Sequence, residues 1–244
     1  MGSYEYMTDF DQDYVQWKAW ESQAFCVLTA EQSRYFAAEV RKTGRPLPAG
    51  AKVLEVGFGQ GRFLAYARSQ QWQVTGTELN PHLVERGKAM GLDVHQTQDL
   101  AQWADGSFDL VVAFDVLEHV PPAEALAFLR ALLRVLRPGG CVLLRFPNAD
   151  SPFGLAHQNA DVTHLNAIGR GKVLYWAQVL QADVLALRGQ AQPLWGVGPV
   201  LTLYRLAVWP VRTLLNLWVR VFFLGGAPID YSAANIVAVL RKTG

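Results

Sequence analysis

The middle of the chain alternates between short apolar runs and segments with helical periodicity. The apolar runs predict five strands, at Lys52–Val56, Gln73–Glu78, Asp93–Gln96, Phe108–Phe114 and 141–146. Predicted helices at 62–68, 81–90 and 121–135 lie between them, and an Arg-Pro-Gly-Gly turn at 137–140 leads into the fifth strand. Strands that alternate with helices at this spacing predict an α/β fold with a doubly wound, mostly parallel sheet.

The two ends of the chain follow different patterns. Residues 1–48 predict an N-terminal helical arm or lid, with one helix near 12–24 and a second between the N-cap Thr29 and Gly44. Residues 49–244 predict the main domain, in which a helix at 172–180 and strands at 182–187 and 235–240 bring the sheet to seven strands. An apolar helical insertion at about 196–228 precedes the last strand.

Composition narrows the class of protein and its partners. Hydrophobic residues make up 51% of the 244 positions and charged residues 18%, which is typical of a folded domain. The formal net charge of +1 provides no field that attracts polyanions, which argues against nucleic acid as a partner. Cys26 and Cys141 stand far apart among apolar neighbours, which indicates reduced thiols and a cytoplasmic protein. The amino terminus lacks the pattern of a secretory signal.

The turn after the first predicted strand is rich in glycine. Gly57, Gly59 and Gly61 follow Glu55, and Glu78 ends the second strand. Glycines let the backbone turn sharply and lie against a ligand, and the next helix presents free N–H groups there. A carboxylate at the end of the second strand can accept hydrogen bonds from both ribose hydroxyls. The G-x-G-x-G spacing differs from the G-x-G-x-x-G of dinucleotide folds, which disfavours a dehydrogenase.

Four segments together resemble class I S-adenosylmethionine (SAM)-dependent methyltransferases, which have a Rossmann-like fold. They are VLEVGFGQGRFL at 53–64, TELNP at 77–81, DGSFDLVVAFDVLEHV at 105–120 and LRPGGCVL at 136–143. The resemblance implies SAM as cofactor. It also implies the residues that hold each part of SAM. Glu55 would bind the amino group, and Gly57, Gly59 and Gly61 would contact the methionine part. Glu78 and Leu79 would contact the ribose region, Gln98 and Asp99 would flank the adenine, and the backbone near Phe114 and Asp115 would line the sulfonium end.

Two histidines are candidates for the catalytic side. His119 or His164 at the mouth of the site could act as general base for an acceptor hydroxyl, since imidazole titrates near neutrality. The alternative is that Glu118 and His119 only hydrogen-bond the loop that covers the cofactor. A third hypothesis is a divalent metal site made by Asp115, Glu118, His119 and His164, an acid-x-x-acid-His set comparable to that of some ribose-methylating relatives.

The acceptor is suggested only by resemblance. FPNADSPFG at 146–154, DVTH at 161–164 and YSAANIVAV at 231–239 are similar to a methyltransferase branch associated with bacterial polysaccharide and O-antigen biosynthesis. This implies a small-molecule or glycan acceptor, with a sugar hydroxyl or a lipid-linked glycan favoured. A quinone precursor, a nitrogen acceptor and a non-catalytic binding protein are the alternatives.

The apolar stretch 200–224 contains Arg205, Pro210, Arg212 and Arg220, which argue against a membrane-spanning helix. Arg212, Asn216 and Arg220 recur every four positions and therefore share one helix face. One interpretation is a packed cap or a homodimer interface. The other is peripheral contact of residues 205–224 with a bilayer, which would place the protein at the inner face of the membrane.

Overall fold

The structure is a computed structural model, and it describes Trp17 and residues 24–243. Apart from Trp17 and Ala24, the helix predicted near 12–24 lies outside the described residues. In the described part, the chain forms helices between and beside the strands of one sheet. The helices are α1 Ala30–Val40, α2 Arg62–Ser69, α3 Pro81–Ala89, α4 Ala125–Val135, α5 Pro152–Asn159, α6 Arg170–Val179 and α7 Pro199–Phe222. The strands are β1 Lys52–Val56, β2 Gln73–Glu78, β3 Asp93–Gln96, β4 Phe108–Phe114, β5 Leu136–Pro147, β6 Ala182–Gly189 and β7 Asn235–Lys242.

The sheet has seven strands in the order β3-β2-β1-β4-β5-β7-β6. Strands β1 to β5 run parallel to one another, and β7 runs antiparallel to both β5 and β6. This confirms the predicted α/β fold with a doubly wound, mostly parallel sheet and a helical insertion before the last strand. The chain order reverses at β1, so β1 and β4 flank the crevice where ligands bind in open sheets of this kind.

Strand β5 is longer than predicted. It begins at Leu136, which pairs with Phe108, and the next paired residues are Leu110 and Cys141. The Arg-Pro-Gly-Gly segment is therefore a bulge within the strand rather than a turn before it. Gly139 has a φ of +73°, which glycine adopts without strain.

The core occupies both faces of the sheet, because successive side chains of a strand point to opposite sides. Leu54 and Val111 lie in the cluster under α4 and α6, and Val53 and Val112 lie in the cluster under α1 and α2. Glu55 and Arg145 share the strand parity of the second cluster, so both belong to the α1 side of the sheet.

Helix α1 is fixed at its start and along its buried face. Thr29 and Gln32 form the predicted capping box, with N–H···O distances of 3.0 and 3.1 Å. Phe36 and Val40 pack into the core. Glu31, on the exposed side, accepts a 2.7 Å hydrogen bond from Arg205 of α7, so α1 and α7 meet above the sheet.

Helix α7 is 24 residues long and continues through Pro210. Among Trp17 and residues 24–243, no helix combines the length and apolar character needed to cross a membrane.

Candidate active site

A large cleft opens beyond the carboxyl ends of β1, β2 and β4. It has a volume of about 1680 Å³, and α1 and α7 form part of its wall. Ligand pockets usually measure about 300–1,000 Å³, so this cleft has room for two molecules side by side. Every residue that the sequence predicted to bind cofactor lines it except Gly61, and so do Glu118, His119 and His164.

The glycine turn forms the floor of the cleft. Gly57, Gly59 and Gly61 all have positive φ, of +68°, +49° and +67°. A Cβ on Gly57 would lie 2.6 Å from Val116, whereas a Cβ on Gly59 would meet nothing within 4 Å. Gly57 is thus required by packing, while the open space above Gly59 lets a ligand approach the backbone. Gly61 lies outside the cleft wall and caps α2 in the left-handed conformation.

Glu55 is buried and faces the cleft from β1. Its side chain is 4% exposed, and Oε2 has no hydrogen-bond partner within the described residues. Burial raises the pKa of Glu55 well above its usual range, against the effect of the Leu64 N–H that donates to it. A buried carboxyl with an unsatisfied oxygen is costly in an empty site and suits a ligand that brings a positive charge.

This burial predicts a pH-dependent stability. The folded chain holds the Glu55 proton more tightly than the unfolded chain, so this group destabilises the fold increasingly as pH rises above the ordinary glutamate pKa of about 4.3. Glu55→Gln removes the effect. We expect the variant and the parent to have equal melting temperatures near that pH, and the variant to be more stable at neutral and alkaline pH. Thermal unfolding of the unliganded proteins across this range measures it.

The matched control is Glu85→Gln, on the exposed surface of α3. It should leave the pH profile of the melting temperature unchanged. A Glu55→Gln melting temperature that falls below the parent's at every pH would show that the carboxylate is stabilised by the fold and not penalised.

Glu78 connects the ends of β1 and β2. Its Oε1 accepts the N–H groups of Leu79 and Asn80 at 2.8 and 3.1 Å, and its Oε2 accepts the N–H of Gly59 at 3.0 Å. The carboxylate therefore lies against the glycine turn, at the place where the sequence predicts ribose recognition. Leu79 is 37% exposed and presents an apolar surface to the same part of the cleft.

Gln98 and Asp99 lie on the far side of Leu79, after β3. Both are exposed and line the cleft. Asp99 accepts a 2.8 Å hydrogen bond from the N–H of Ala101 and so caps the 3-10 turn Leu100–Gln102. This cap gives Asp99 a structural role in addition to any contact with ligand.

The end of β4 is held by a residue that the sequence analysis missed. Arg145 of β5 forms a two-point ion pair with Asp115, and its Nη1 donates to the Tyr35 hydroxyl at 2.9 Å. Its guanidinium also lies 5.1 Å from the centre of the Phe114 ring. Burial disfavours the charge of Arg145, but the Asp115 carboxylate outweighs it and raises the pKa of the guanidinium.

Arg145 and Tyr35 thus belong to the cleft wall. Asp115 has a φ of +56°, a strained conformation for a residue other than glycine, and the ion pair with Arg145 holds it there. Burial raises the pKa of Tyr35 to about 12, so its hydroxyl stays neutral and can accept from Arg145. One signal was available in the sequence, namely a single arginine inside the apolar run 141–146.

His119 is oriented by a hydrogen-bond relay. The Thr163 hydroxyl donates to Asp161 Oδ1 at 2.7 Å and lies 2.8 Å from His119 Nδ1. A hydroxyl has one hydrogen, so the network assigns the proton of His119 to Nδ1, which donates to Thr163, and the lone pair to Nε2. Asp161 is 5% exposed, so the relay ends on a buried aspartate.

His164 lies beside His119. The two ring centres are 4.7 Å apart, and the Gln158 carbonyl accepts from His164 Nδ1 at 3.0 Å. The Glu118 carbonyl accepts the N–H groups of Leu165 and Asn166 at 2.8 and 2.9 Å, which ties the histidine-bearing loop to the turn Leu117–His119. His119 and His164, which are 45 positions apart in the sequence, are thereby held next to each other in the cleft.

Three of the four residues of the predicted metal set come together. Glu118, His119 and His164 each offer a ligand atom, and these atoms lie within 4.8 Å of one another. Asp115 is not part of this group, and Arg145 engages both of its oxygens. Burial, followed by the nearby Asp115 charge, raises the pKa of Glu118 well above its usual range. Any proton held on Glu118 has to leave before a metal can bind there.

The chain is similar to known proteins in sequence and in fold. Residues 28–190 match a family model described as a methyltransferase domain. The ubiquinone biosynthesis O-methyltransferase of Xanthomonas oryzae pv. oryzae is 38% identical over 122 residues, 46% of this chain and 50% of that protein. The chain thus spans about half the length of the curated relatives it matches.

Solved structures show the same fold at low sequence identity. A SAM-dependent methyltransferase from Archaeoglobus fulgidus has a TM-score of 0.62 at 15% identity and covers 86% of this chain and 94% of its own. The 1,6-didemethyltoxoflavin-N1-methyltransferase of Burkholderia thailandensis, solved with its substrate and S-adenosylhomocysteine, has a TM-score of 0.59 at 17% identity and covers 100% and 92%.

Proposed function

This chain belongs to the methyltransferase domain family, and we propose that it transfers a methyl group from SAM to a hydroxyl oxygen of a sugar or another small or lipid-linked acceptor. The observation that carries the proposal is the relay from Asp161 through Thr163 to His119, which provides a base at the cleft. Membership of this family favours an enzyme over a non-catalytic binding domain.

The cleft fits SAM in shape and charge. The unsatisfied Glu55 carboxyl would meet the positively charged amino group, and the open backbone at Gly59 would lie along the methionine part. Glu78 would hold the ribose, Leu79 would pack against the adenosine, and Gln98 with Asp99 would flank the adenine. When bound, SAM would supply a methyl group on a sulfonium, whose carbon–sulfur bond breaks as the acceptor oxygen attacks the methyl carbon in line and S-adenosylhomocysteine leaves.

The residues of the chain then supply position and proton transfer. His119 Nε2 accepts the proton of the acceptor hydroxyl while the oxygen bonds to the methyl carbon. Thr163 and Asp161 stabilise the resulting imidazolium through Nδ1, and His119 later releases the proton to solvent. Arg145 and Tyr35 keep Asp115 and Phe114 in place beside the reacting atoms.

The far end of the cleft supports a polyhydroxylated acceptor. Polar side chains from three separate segments line it, namely Gln190, Gln192, Arg212 and Asn235. Such groups suit the many hydroxyls of a sugar. A quinone precursor is the alternative acceptor, suggested by the name of the Xanthomonas relative, and it would also be methylated on oxygen.

A divalent metal at Glu118, His119 and His164 is the alternative chemistry. The cluster offers nitrogen and oxygen ligands, as borderline divalent ions prefer. A metal there would bind the Nε2 lone pair that the base mechanism uses, so the two mechanisms exclude one another. Under the metal mechanism, activity would be lost on chelation.

The test of the proposal is a panel of acceptors with SAM. We expect release of S-adenosylhomocysteine with nucleotide-linked and lipid-linked sugars, lower turnover with catechols, and none with amino counterparts that lack the hydroxyl. Mass spectrometry should place the added methyl group on oxygen. Turnover restricted to the amino compounds would contradict O-methylation, and turnover restricted to catechols would replace the sugar by the quinone alternative.

A further inference from the structure

The outward face of α7 is apolar over nearly its whole length. Trp209 is 66% exposed, Leu214 65% and Phe222 69%, values unusual for large apolar side chains. The other exposed large apolar residues of the helix are Val200, Leu203, Tyr204, Leu206, Val211, Leu217, Trp218 and Val221. Thr213 lies among them, and its Oγ1 donates to the Trp209 carbonyl at 2.9 Å.

The polar face of α7 points into the protein instead. Arg212 donates to the Ser232 carbonyl at 2.6 Å, and Asn216 bonds both Asp230, at 2.9 Å, and the Ser232 N–H, at 2.7 Å. Arg205 pairs with Glu31 of α1. These contacts fix the rotation of the helix about its axis, so the apolar side chains cannot turn inward without breaking them.

We propose that this apolar face docks the protein on the surface of an anionic lipid bilayer, with α7 lying in the plane of the interface. Positions 203, 210, 214, 217 and 221 form one row along the helix, and other exposed apolar residues lie on both sides of this row. Together the exposed apolar positions span more than half of the helix circumference. A flat protein partner covers one strip of a helix, whereas lipid closes around the whole exposed arc. The apolar face of α7 therefore fits a lipid surface better than it fits a second copy of the chain.

The charge of the segment agrees with an anionic membrane. Residues 190–229 contain three arginines, Arg205, Arg212 and Arg220, and no acidic residue and no lysine. Arg220 is partly exposed beside the apolar face, whereas Arg205 and Arg212 are the inward-facing anchors described above. Basic side chains at the edge of an amphipathic helix that lies on a membrane are attracted to anionic headgroups.

The opposite side of the same helix lines the cleft. Leu201, Val208 and Arg212 contribute to its wall. A bilayer on the outer face would therefore lie one helix diameter, about 10 Å, from the acceptor end of the cleft. If the proposed O-methyl transfer is correct, this arrangement presents the headgroup of a lipid-linked acceptor to the cleft.

Vesicle flotation with the full chain tests the docking without cofactor or acceptor, so its outcome is independent of the methyl-transfer proposal. We expect the protein to float with vesicles of phosphatidylcholine and phosphatidylglycerol, and less with phosphatidylcholine alone. The double variant Leu214→Glu and Trp218→Glu should partition at least about tenfold less, since charged side chains resist insertion. Neither residue lines the cleft, so turnover of a soluble acceptor should not change.

The control is Tyr175→Glu, which adds one such charge at a 60% exposed aromatic residue on α6, away from the apolar face of α7. It should float like the parent. Failure of the parent to float, or equal flotation of the double variant, would overturn the proposal. So would a dimer, measured by sedimentation, that the double variant dissociates while vesicles bind neither protein.

Discussion

Replacing His119 by glutamine is expected to lower kcat for O-methylation by about 100- to 10,000-fold, the usual contribution of a general base. The glutamine side chain can still accept a hydrogen bond but cannot take a proton at neutral pH. Binding of SAM, measured by calorimetry, should remain near that of the parent because Glu55, Glu78 and the glycine turn are untouched. Turnover with the best acceptor of the panel is the measurement.

Three controls separate base catalysis from a structural or metal role. Thr163→Val breaks the relay to Asp161 and should lower kcat by a smaller factor, while His119→Gly should be partly rescued by added imidazole. Exhaustive chelation should leave the parent fully active. Loss of activity on chelation, with recovery on adding a divalent ion, would show that Glu118, His119 and His164 bind a metal and that His119 is not the base.

Replacing Glu78 by alanine is expected to weaken SAM binding by at least about 100-fold, since charge-assisted hydrogen bonds to buried or bidentate groups are each worth about 1.5–3 kcal/mol. The loss has two causes. The ribose would lose its acceptor, and the N–H groups of Gly59, Leu79 and Asn80 would lose the carboxylate that holds the two loops together. Calorimetric titration with SAM measures the change.

The control for this substitution is Asp99→Ala, at the other end of the predicted adenosine site. Asp99 is exposed and its carboxylate caps a short 3-10 turn, so we expect a weaker effect on SAM affinity. Thermal unfolding of both variants distinguishes loss of the ligand from loss of the fold. A folded Glu78→Ala protein that binds SAM as tightly as the parent would refute the assignment of the cleft.

The sheet and the glycine-turn side of the cleft were predictable because their signals are local. The glycine turn, Glu55 and Glu78 lie within 24 positions, at the ends of the first two strands. The seven strands were predicted from apolar runs in the sequence together with the glycines that end helices. The bulge at 137–140 was not predicted, because Arg-Pro-Gly-Gly has the composition of a turn and only the pairing of β5 with β4 shows that it lies within a strand.

The remainder of the site depends on contacts between distant positions. Tyr35 and Arg145 are 110 positions apart, and Thr163 reaches His119 across 44. Helical periodicity showed that Arg212, Asn216 and Arg220 share a face, but periodicity does not say which face is buried. The buried face is decided by Asp230 and Ser232 in the loop before β7, which form hydrogen bonds with Arg212 and Asn216.

The position of β7 between β5 and β6 has a consequence for how the molecule can open. Strand β6 joins the sheet through β7, and α7 lies between these two strands in the chain. A local opening that frays β6 and lifts α7 would enlarge the acceptor side while the parallel strands under the glycine turn stay paired. The part of the cleft wall that carries α7 can therefore loosen at one edge of the sheet without unpairing β1 and β2.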